Sequence, residues 1–195
     1  VSVVPKRLFI ALELDSAVKE KLERWERETA ASISAASPAG ISWQKGSKLH
    51  LTLKFLGEVP EERTPRLTDV LEGALREIQA FELHLEGAGC FPLRGPVRII
   101  WIGVKQPNPD LARCFAVLET SLAGLGFKRE ERDFHPHITA ARVKNDPAQS
   151  ELRRIIQGIT FAGIAQQVKS ITLFSSELNP SGSVYSVIKQ FEFFR

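Results

Sequence analysis

Apolar residues recur along this chain with two periods, and the places where one period gives way to the other divide it into strands and helices. Lys6 to Leu14 carries Leu8, Ile10, Leu12 and Leu14 in alternation with Phe9, Ala11 and Glu13, which predicts a strand deep in a sheet, apolar on nearly both faces. Asp15 or Ser16 offers an N-cap, and Val18, Leu22, Trp25 and Thr29 then recur at helical spacing to about Ile33. Ser34 to Gly40 reads as a loop, and Ile41 to Gln44 as a short strand that ends at the turn Lys45-Gly46-Ser47. Lys48 to Leu56 is a strand, closed by Gly57 and Pro60. A helix from about Glu61 to Gln79 follows, with Leu67, Val70, Leu71, Leu75 and Ile78 on one face.

Phe81 to Gly89 alternates strictly, Phe81, Leu83 and Leu85 against Glu82, His84 and Glu86, as a half-exposed strand does. Cys90 to Pro96 is a turn-rich connection and Val97 to Val104 another strand, containing Trp101. A helix restarts at Pro107 to Asp110, buries Leu111, Phe115, Leu118 and Leu122, and stops near Gly124 and Gly126. After the charged run Lys128 to Asp133, His137 to Val143 is a strand broken by Asp146-Pro147. A helix over Ala148 to Gln157 precedes strands at Thr160 to Val168, Ser170 to Ser176 and Ser183 to Phe193, the last two joined by the turn Asn179-Pro180-Ser181-Gly182.

Two of these strands carry the same polar pair. Alternation puts His50 and Thr52 on one face, with Leu51, Leu53 and Phe55 on the other; His137 and Thr139 share a face in the same way, opposite Ile138 and Ala140. The histidines lie 137 − 50 = 87 residues apart, and each half of the chain repeats strand, helix and histidine strand, so two similar lobes facing each other bring one histidine strand apiece to a shared cleft. A lone His-x-Thr on a strand is usually structural, but two copies in corresponding halves argue for chemistry. Imidazole titrates near neutrality, so an opposed pair can serve as acid and base. One takes a proton from a water or hydroxyl attacking phosphorus, the other protonates the departing oxygen, and the threonine hydroxyls hold non-bridging oxygens. Such a site works without a metal.

Composition narrows the setting. With 195 residues, 43% hydrophobic and 25% charged, the chain buries a core unaided and has no apolar run that could cross a bilayer. Its first apolar run contains Glu13 and suits a strand, not a secretory signal. Cys90 and Cys114 lack metal-site spacing and read as small hydrophobes in a reducing cytoplasm. A formal charge of +3 and a pI near 9.0 permit an anionic ligand without demonstrating one.

Trp43, the run Leu49-His50-Leu51-Thr52-Leu53-Lys54-Phe55-Leu56-Gly57-Glu58-Val59 and the run Phe134-His135-Pro136-His137-Ile138-Thr139-Ala140-Ala141-Arg142 together resemble the two-histidine phosphoesterase superfamily. Within it, the chain is similar to the bacterial and archaeal RNA 2′,3′-cyclic phosphodiesterases, also called 2′-5′ RNA ligases, from Arg7-Leu8-Phe9-Ile10-Ala11 to the strand around Tyr185. The resemblance implies an α+β fold: one domain over residues 1–195 with two pseudo-symmetric lobes of antiparallel sheet, helices packed outside and a central cleft carrying both HxTx motifs. It implies that His50 donates a proton to the leaving 3′ oxygen, His137 activates water, and Thr52 and Thr139 bind phosphate, giving a 2′-phosphomonoester; the roles exchange in the ligating direction. It implies no cofactor and no metal, RNA with 2′,3′-cyclic phosphate ends as partner, tRNA fragments among the candidates, no membrane, and a cytoplasmic monomer.

Other residues carry two readings each. Arg142 matches a phosphate-supporting arginine of the family, yet strict alternation points it away from His137, so either a bulge redirects it or it is a surface residue. Lys54 has the parity of His50 and Thr52, or is simply solvated. Phe9 and Trp43 stack on nucleotide bases or belong to the core. Tyr185 enters only through the resemblance. His135 reads as a loop residue, His84 as a solvated one, and the mixed-sign run Lys128 to Arg132 as a solvated loop within reach of RNA. Two rival functions remain: a small cyclic nucleotide phosphodiesterase, and an RNA-binding module that kept the scaffold.

Overall fold

The computed structural model describes residues 5–36, 40–146, 150–180 and 182–194. Among these, nine strands form one antiparallel sheet: β1 (Lys6–Glu13), β2 (Gly40–Trp43), β3 (His50–Val59), β4 (Phe81–Phe91), β5 (Ile99–Val104), β6 (His137–Asn145), β7 (Ile164–Val168), β8 (Ser170–Asn179) and β9 (Gly182–Glu192). The helices are α1 (Ser16–Ala36), α2 (Thr64–Leu75), α3 (Pro109–Gly124) and α4 (Ser150–Gly158). Helix α2 packs on α3 and β9, while α1 packs on α4 and β7. No helix among the described residues is long and apolar enough to cross a membrane.

The sheet runs β7-β4-β5-β6-β3-β1-β8-β9, with β2 added to β6, so the two histidine strands meet at its middle. The lobes on either side of that seam are not the two halves of the chain. Strands β8 and β9 return from the C-terminal end to pair beside β1, and β2 crosses to β6. The expected repeat of strand, helix and histidine strand is present, as β1-α1-β3 and β5-α3-β6, but each lobe is completed by strands from the other half. Burial accounts for the crossing of β2, because Trp43 packs edge-on to Trp25 of α1 at 6.3 Å. The core lies between sheet and helices: Leu8, Ile10 and Leu12 of β1, Leu51 of β3, Ile102 of β5 and Ile138 of β6 are at most 2% exposed. Each such side chain contributes roughly 1.5–3 kcal/mol when buried.

Helix α3 starts and stops as its sequence predicts. The Asn108 side chain accepts from Leu111 N–H at 2.9 Å, Pro109 opens the first turn, and Gly126 follows the last turn at φ +84°. Elsewhere boundaries shift. Helix α1 continues past Ile33 to Ala36, α2 ends at Leu75 after a 3₁₀ turn at Glu61–Arg63, and β4 runs through Cys90 to Phe91. The strand expected over Thr160 to Val168 begins only at Ile164, because the Thr160 and Phe161 carbonyls accept from Trp25 Nε1 (3.1 Å) and Gly87 N–H (3.2 Å). Part of the expected loop at Ser34 to Gly40, the expected helix start at Ala148 and the turn residue Ser181 lie outside the described residues.

Among the described residues, helix α1 buries a carboxyl with an unbonded oxygen. Glu26 of α1 is 6% exposed, its Oε1 has no hydrogen-bond partner, and burial, with nearby Glu23 second, pushes its pKa from 4.5 to about 8. The folded state therefore holds this proton more tightly than the unfolded chain, so the contribution of Glu26 to stability is greatest below pH 4.5 and declines as pH rises toward 8. At about 1.4 kcal/mol per unit, the effect reaches a few kcal/mol. Glu26→Gln is expected to be more stable than the wild type in thermal melts at pH 8, with the difference closing toward pH 5.

Candidate active site

Strands β3 and β6 pair antiparallel at Leu51 and Ile138. Extending that register by one residue each way sets His50 opposite Thr139 and Thr52 opposite His137. Residues directly opposite in a ladder point to the same face, so all four side chains share one face while Leu51 and Ile138, both fully buried, share the other. The local two-fold relation passes between Leu51 and Ile138. The histidines are diagonal neighbours across the pair, a geometry that separates positions by roughly 7–8 Å and leaves room for a phosphate between them.

The surroundings of the two imidazoles repeat. His50 Nδ1 lies 2.8 Å from the Lys48 carbonyl, and His137 Nδ1 lies 2.7 Å from the His135 carbonyl, two residues back in each case. A carbonyl only accepts, so each Nδ1 carries the proton and donates it, which leaves Nε2 as the reactive nitrogen on both rings. Aromatic rings wall both. Phe9 lies 5.1 Å from His50 with Tyr185 edge-on at 5.4 Å; Phe91 is edge-on to His137 at 5.2 Å with Trp101 at 6.4 Å. Burial holds the His50 pKa below its usual 6.5, against the Lys48 carbonyl bond that raises it, and the positive charge of Arg142 lowers it further.

A bulge occurs at the same offset in both strands. In β3 the partner register jumps from Thr52 to Lys54 and skips Leu53; in β6 it jumps from Thr139 to Ala141 and skips Ala140. Each extra residue adds a second consecutive inward side chain and reverses the parity beyond it. Ala140 and Ala141 are both fully buried, and Arg142 emerges exposed on the histidine face, so the bulge alternative holds for this arginine. The mirror change in β3 overturns two alternation readings. Lys54 points into the core, 6% exposed, and forms an ion pair of 2.6 Å with Glu119 of α3. Phe55, expected on the packing face, is instead 69% exposed opposite Phe9, with ring centroids 6.0 Å apart. Strict alternation could not have found Phe55, since a bulge leaves no signature in polarity.

The model of the 2′-5′ RNA ligase superfamily matches residues 15–179, most of the chain. The chain belongs to that superfamily. It is 32% identical over 188 residues to the RNA 2′,3′-cyclic phosphodiesterase of Methanothermobacter thermautotrophicus, covering 95% of this chain and 97% of that protein. It is 34% identical to the protein of the same name from Archaeoglobus fulgidus, over 95% and 99% of the two chains. Among solved structures, Escherichia coli LigT complexed with 3′-AMP aligns with a TM-score of 0.77 at 29% identity, covering 98% of this chain and 99% of that one.

The remaining sequence candidates separate cleanly. Phe9 touches His50 but is 3% exposed, covered by Phe174, Tyr185 and Phe55, so in β1 it backs the histidine while Phe55 presents the open ring. Trp43 opposes Ala141 and packs, half-buried, against Trp25 at the edge of the core. Tyr185 lies against both Phe9 and His50. His135 is exposed and contributes its carbonyl to His137. His84 is exposed and bonds Glu82, and the run from Lys128 to Arg132 is exposed apart from its neighbours' contacts, with Lys128 paired to Glu131 at 2.6 Å. Both thiols are buried and free, and burial pushes Cys114 up to about 12.

Glu119 also accepts from the Glu130 N–H at 2.9 Å, in the segment leading to His137, so one carboxylate ties the back of β3 to the approach to β6. Lys54→Ala should cost about 3–5 kcal/mol in denaturant unfolding by stranding Glu119, whereas Lys54→Met with Glu119→Leu should recover most of the loss. In NMR titrations His50 should show a pKa below 6.5, and Arg142→Ala should move it upward.

Proposed function

We infer that this chain is a metal-independent RNA 2′,3′-cyclic phosphodiesterase that opens cyclic phosphate ends to 2′-phosphomonoesters. The observation that carries the reading is the paired register at Leu51 and Ile138, which sets two Nε2-presenting imidazoles and two threonines on one face. The names of the relatives support the substrate class.

The cyclic phosphate lies between the histidines, with the Thr52 and Thr139 hydroxyls donating to its non-bridging oxygens and Arg142 balancing their charge. His137 Nε2 takes a proton from water as its oxygen bonds to phosphorus. His50 Nε2–H gives a proton to the 3′ oxygen as the P–O3′ bond breaks. In the free protein the lowered pKa of His50 favours its neutral form. The bound phosphodiester anion counters that bias, because a negative charge against Nε2 favours imidazolium, so the donor is charged where substrate is present. When a 5′-hydroxyl replaces water, the same proton transfers make a 2′-5′ linkage, and the roles exchange in its reversal.

Aromatic rings around His50, with Phe55 open to solvent, suit the base of the terminal nucleotide. Two buried thiols suit a reducing cytoplasm, and tRNA fragments are among the RNA ends it would meet.

An RNA oligomer ending in a 2′,3′-cyclic phosphate, incubated in excess chelator, tests this directly. Wild type should yield the 2′-phosphate, and His50→Ala and His137→Ala should each lower turnover by at least about 10²-fold, the scale of lost acid or base catalysis. A 3′-phosphate product would reverse the leaving-group assignment. Retained RNA binding without turnover by wild type would instead mean a binding module.

A further inference from the structure

We propose that the His137 side of the site is a second nucleoside subsite, in which Trp101 and Phe91 receive the nucleoside whose 5′-hydroxyl attacks the cyclic phosphate. The proposal rests on the function inferred above.

Trp101 is the cross-strand partner of Thr139 and of Gly89, so its indole stands on the histidine face. A Cβ at Gly89 would come within 2.3 Å of the indole six-membered ring, and one at Gly103 within 3.3 Å. The ring therefore lies down over Gly89 and against Gly103, in space that any other residue would fill. Glycine inside a strand weakens it and marks places where something approaches the backbone closely. At Gly89 the indole, itself half-buried, is what approaches, while at Gly103 the Glu86 carbonyl comes nearer still, at 2.9 Å. Gly103 is also the cross-strand partner of His137, so no side chain stands directly opposite that imidazole on β5, and the ring of Trp101, two residues back, reaches it at 6.4 Å. Phe91 completes the wall, 5.3 Å from Trp101 and tilted by 37°.

A water molecule attacking phosphorus needs a base and nothing apolar beside it. A pair of aromatic rings at that position suits a planar base attached to the attacking hydroxyl, because every nucleobase offers a face for stacking. The local two-fold relation gives the same reading: the aromatic wall at His50 accompanies the nucleoside that carries the leaving oxygen, and the wall at His137 accompanies the incoming one. In the transfer, the 5′ oxygen bonds to phosphorus as its proton passes to His137, and the P–O3′ bond breaks as the 3′ oxygen takes a proton from His50. The product is a 2′-5′ phosphodiester with a free 3′-hydroxyl, and no other reactant is consumed.

The test supplies a 2′,3′-cyclic-phosphate oligomer with increasing amounts of an oligomer bearing a 5′-hydroxyl, and reads the ratio of 2′-5′ joined product to hydrolysed end. Wild type should show a ratio that saturates with acceptor. In Trp101→Ala the ratio at fixed acceptor should fall roughly tenfold, the scale of one lost base stack, and Trp101→Phe should restore most of it. Gly89→Ala, which displaces the indole while keeping it, should lower the ratio in the same direction. A ratio unchanged in both Trp101→Ala and Gly89→Ala, or wild type that hydrolyses ends but never joins them at saturating acceptor, overturns the subsite while leaving the phosphodiesterase reading intact. Failure of wild type to hydrolyse the end at all removes that reading and the subsite with it.

Discussion

Leu51 and Ile138 face each other across the seam of the sheet, and the antiparallel register there dictates which polar side chains stand opposite which. Both are fully buried beneath the helices, so the pairing is held from behind by apolar burial and not by the reactive groups in front. A slip of one residue would turn the histidines and threonines of one strand into the core and its leucines or alanines outward. The hydrophobic cost of that exchange is what keeps two imidazoles and two hydroxyls on a common face.

The bulges extend the same logic. By skipping Leu53 and Ala140, each strand buries one residue more than alternation permits and returns to the reactive face one position late. Past the bulge in β6 that position is Arg142, a fixed cation; past the bulge in β3 it is Phe55, an open ring. Two strands with nearly the same backbone thereby present different side chains on the shared face, a cation in one and an open aromatic ring in the other. The cost in β3 is a lysine carried inward, and Glu119 neutralises it at 2.6 Å while holding the segment that leads to His137. The histidine face and the core are thus coupled through one buried ion pair.

The chain path makes neither lobe a continuous half of the chain. β2 leaves the first half to pair with β6, and β8 and β9 return to flank β1, so each lobe is completed by strands from distant parts of the chain. Gln166 of β7 donates to the Glu13 carbonyl at 2.9 Å and accepts from Asp15 N–H at 3.0 Å, a further tie between chain segments far apart in sequence. Relative movement of the two histidines is resisted by this exchange as well as by the seam itself.

Polarity along the chain was enough to locate most strands and helices, to place His50 with Thr52 and His137 with Thr139, and to show that the second member of each pair follows at strand spacing. Those features depend on local periodicity, which a single sequence displays directly. The backbone carbonyls that orient both imidazoles, the partners of β2, β8 and β9, and the reversal that exposes Phe55 and Arg142 while burying Lys54 were decided by tertiary structure. Each depends on contacts between residues distant in sequence, or on one extra residue in a ladder whose partner must be known before the bulge can be seen. The alternation rule placed Lys54 beside His50 and Phe55 in the core; pairing with β1 inverted both, because burial against α3 offers Lys54 a carboxylate and the reactive face leaves the ring of Phe55 open.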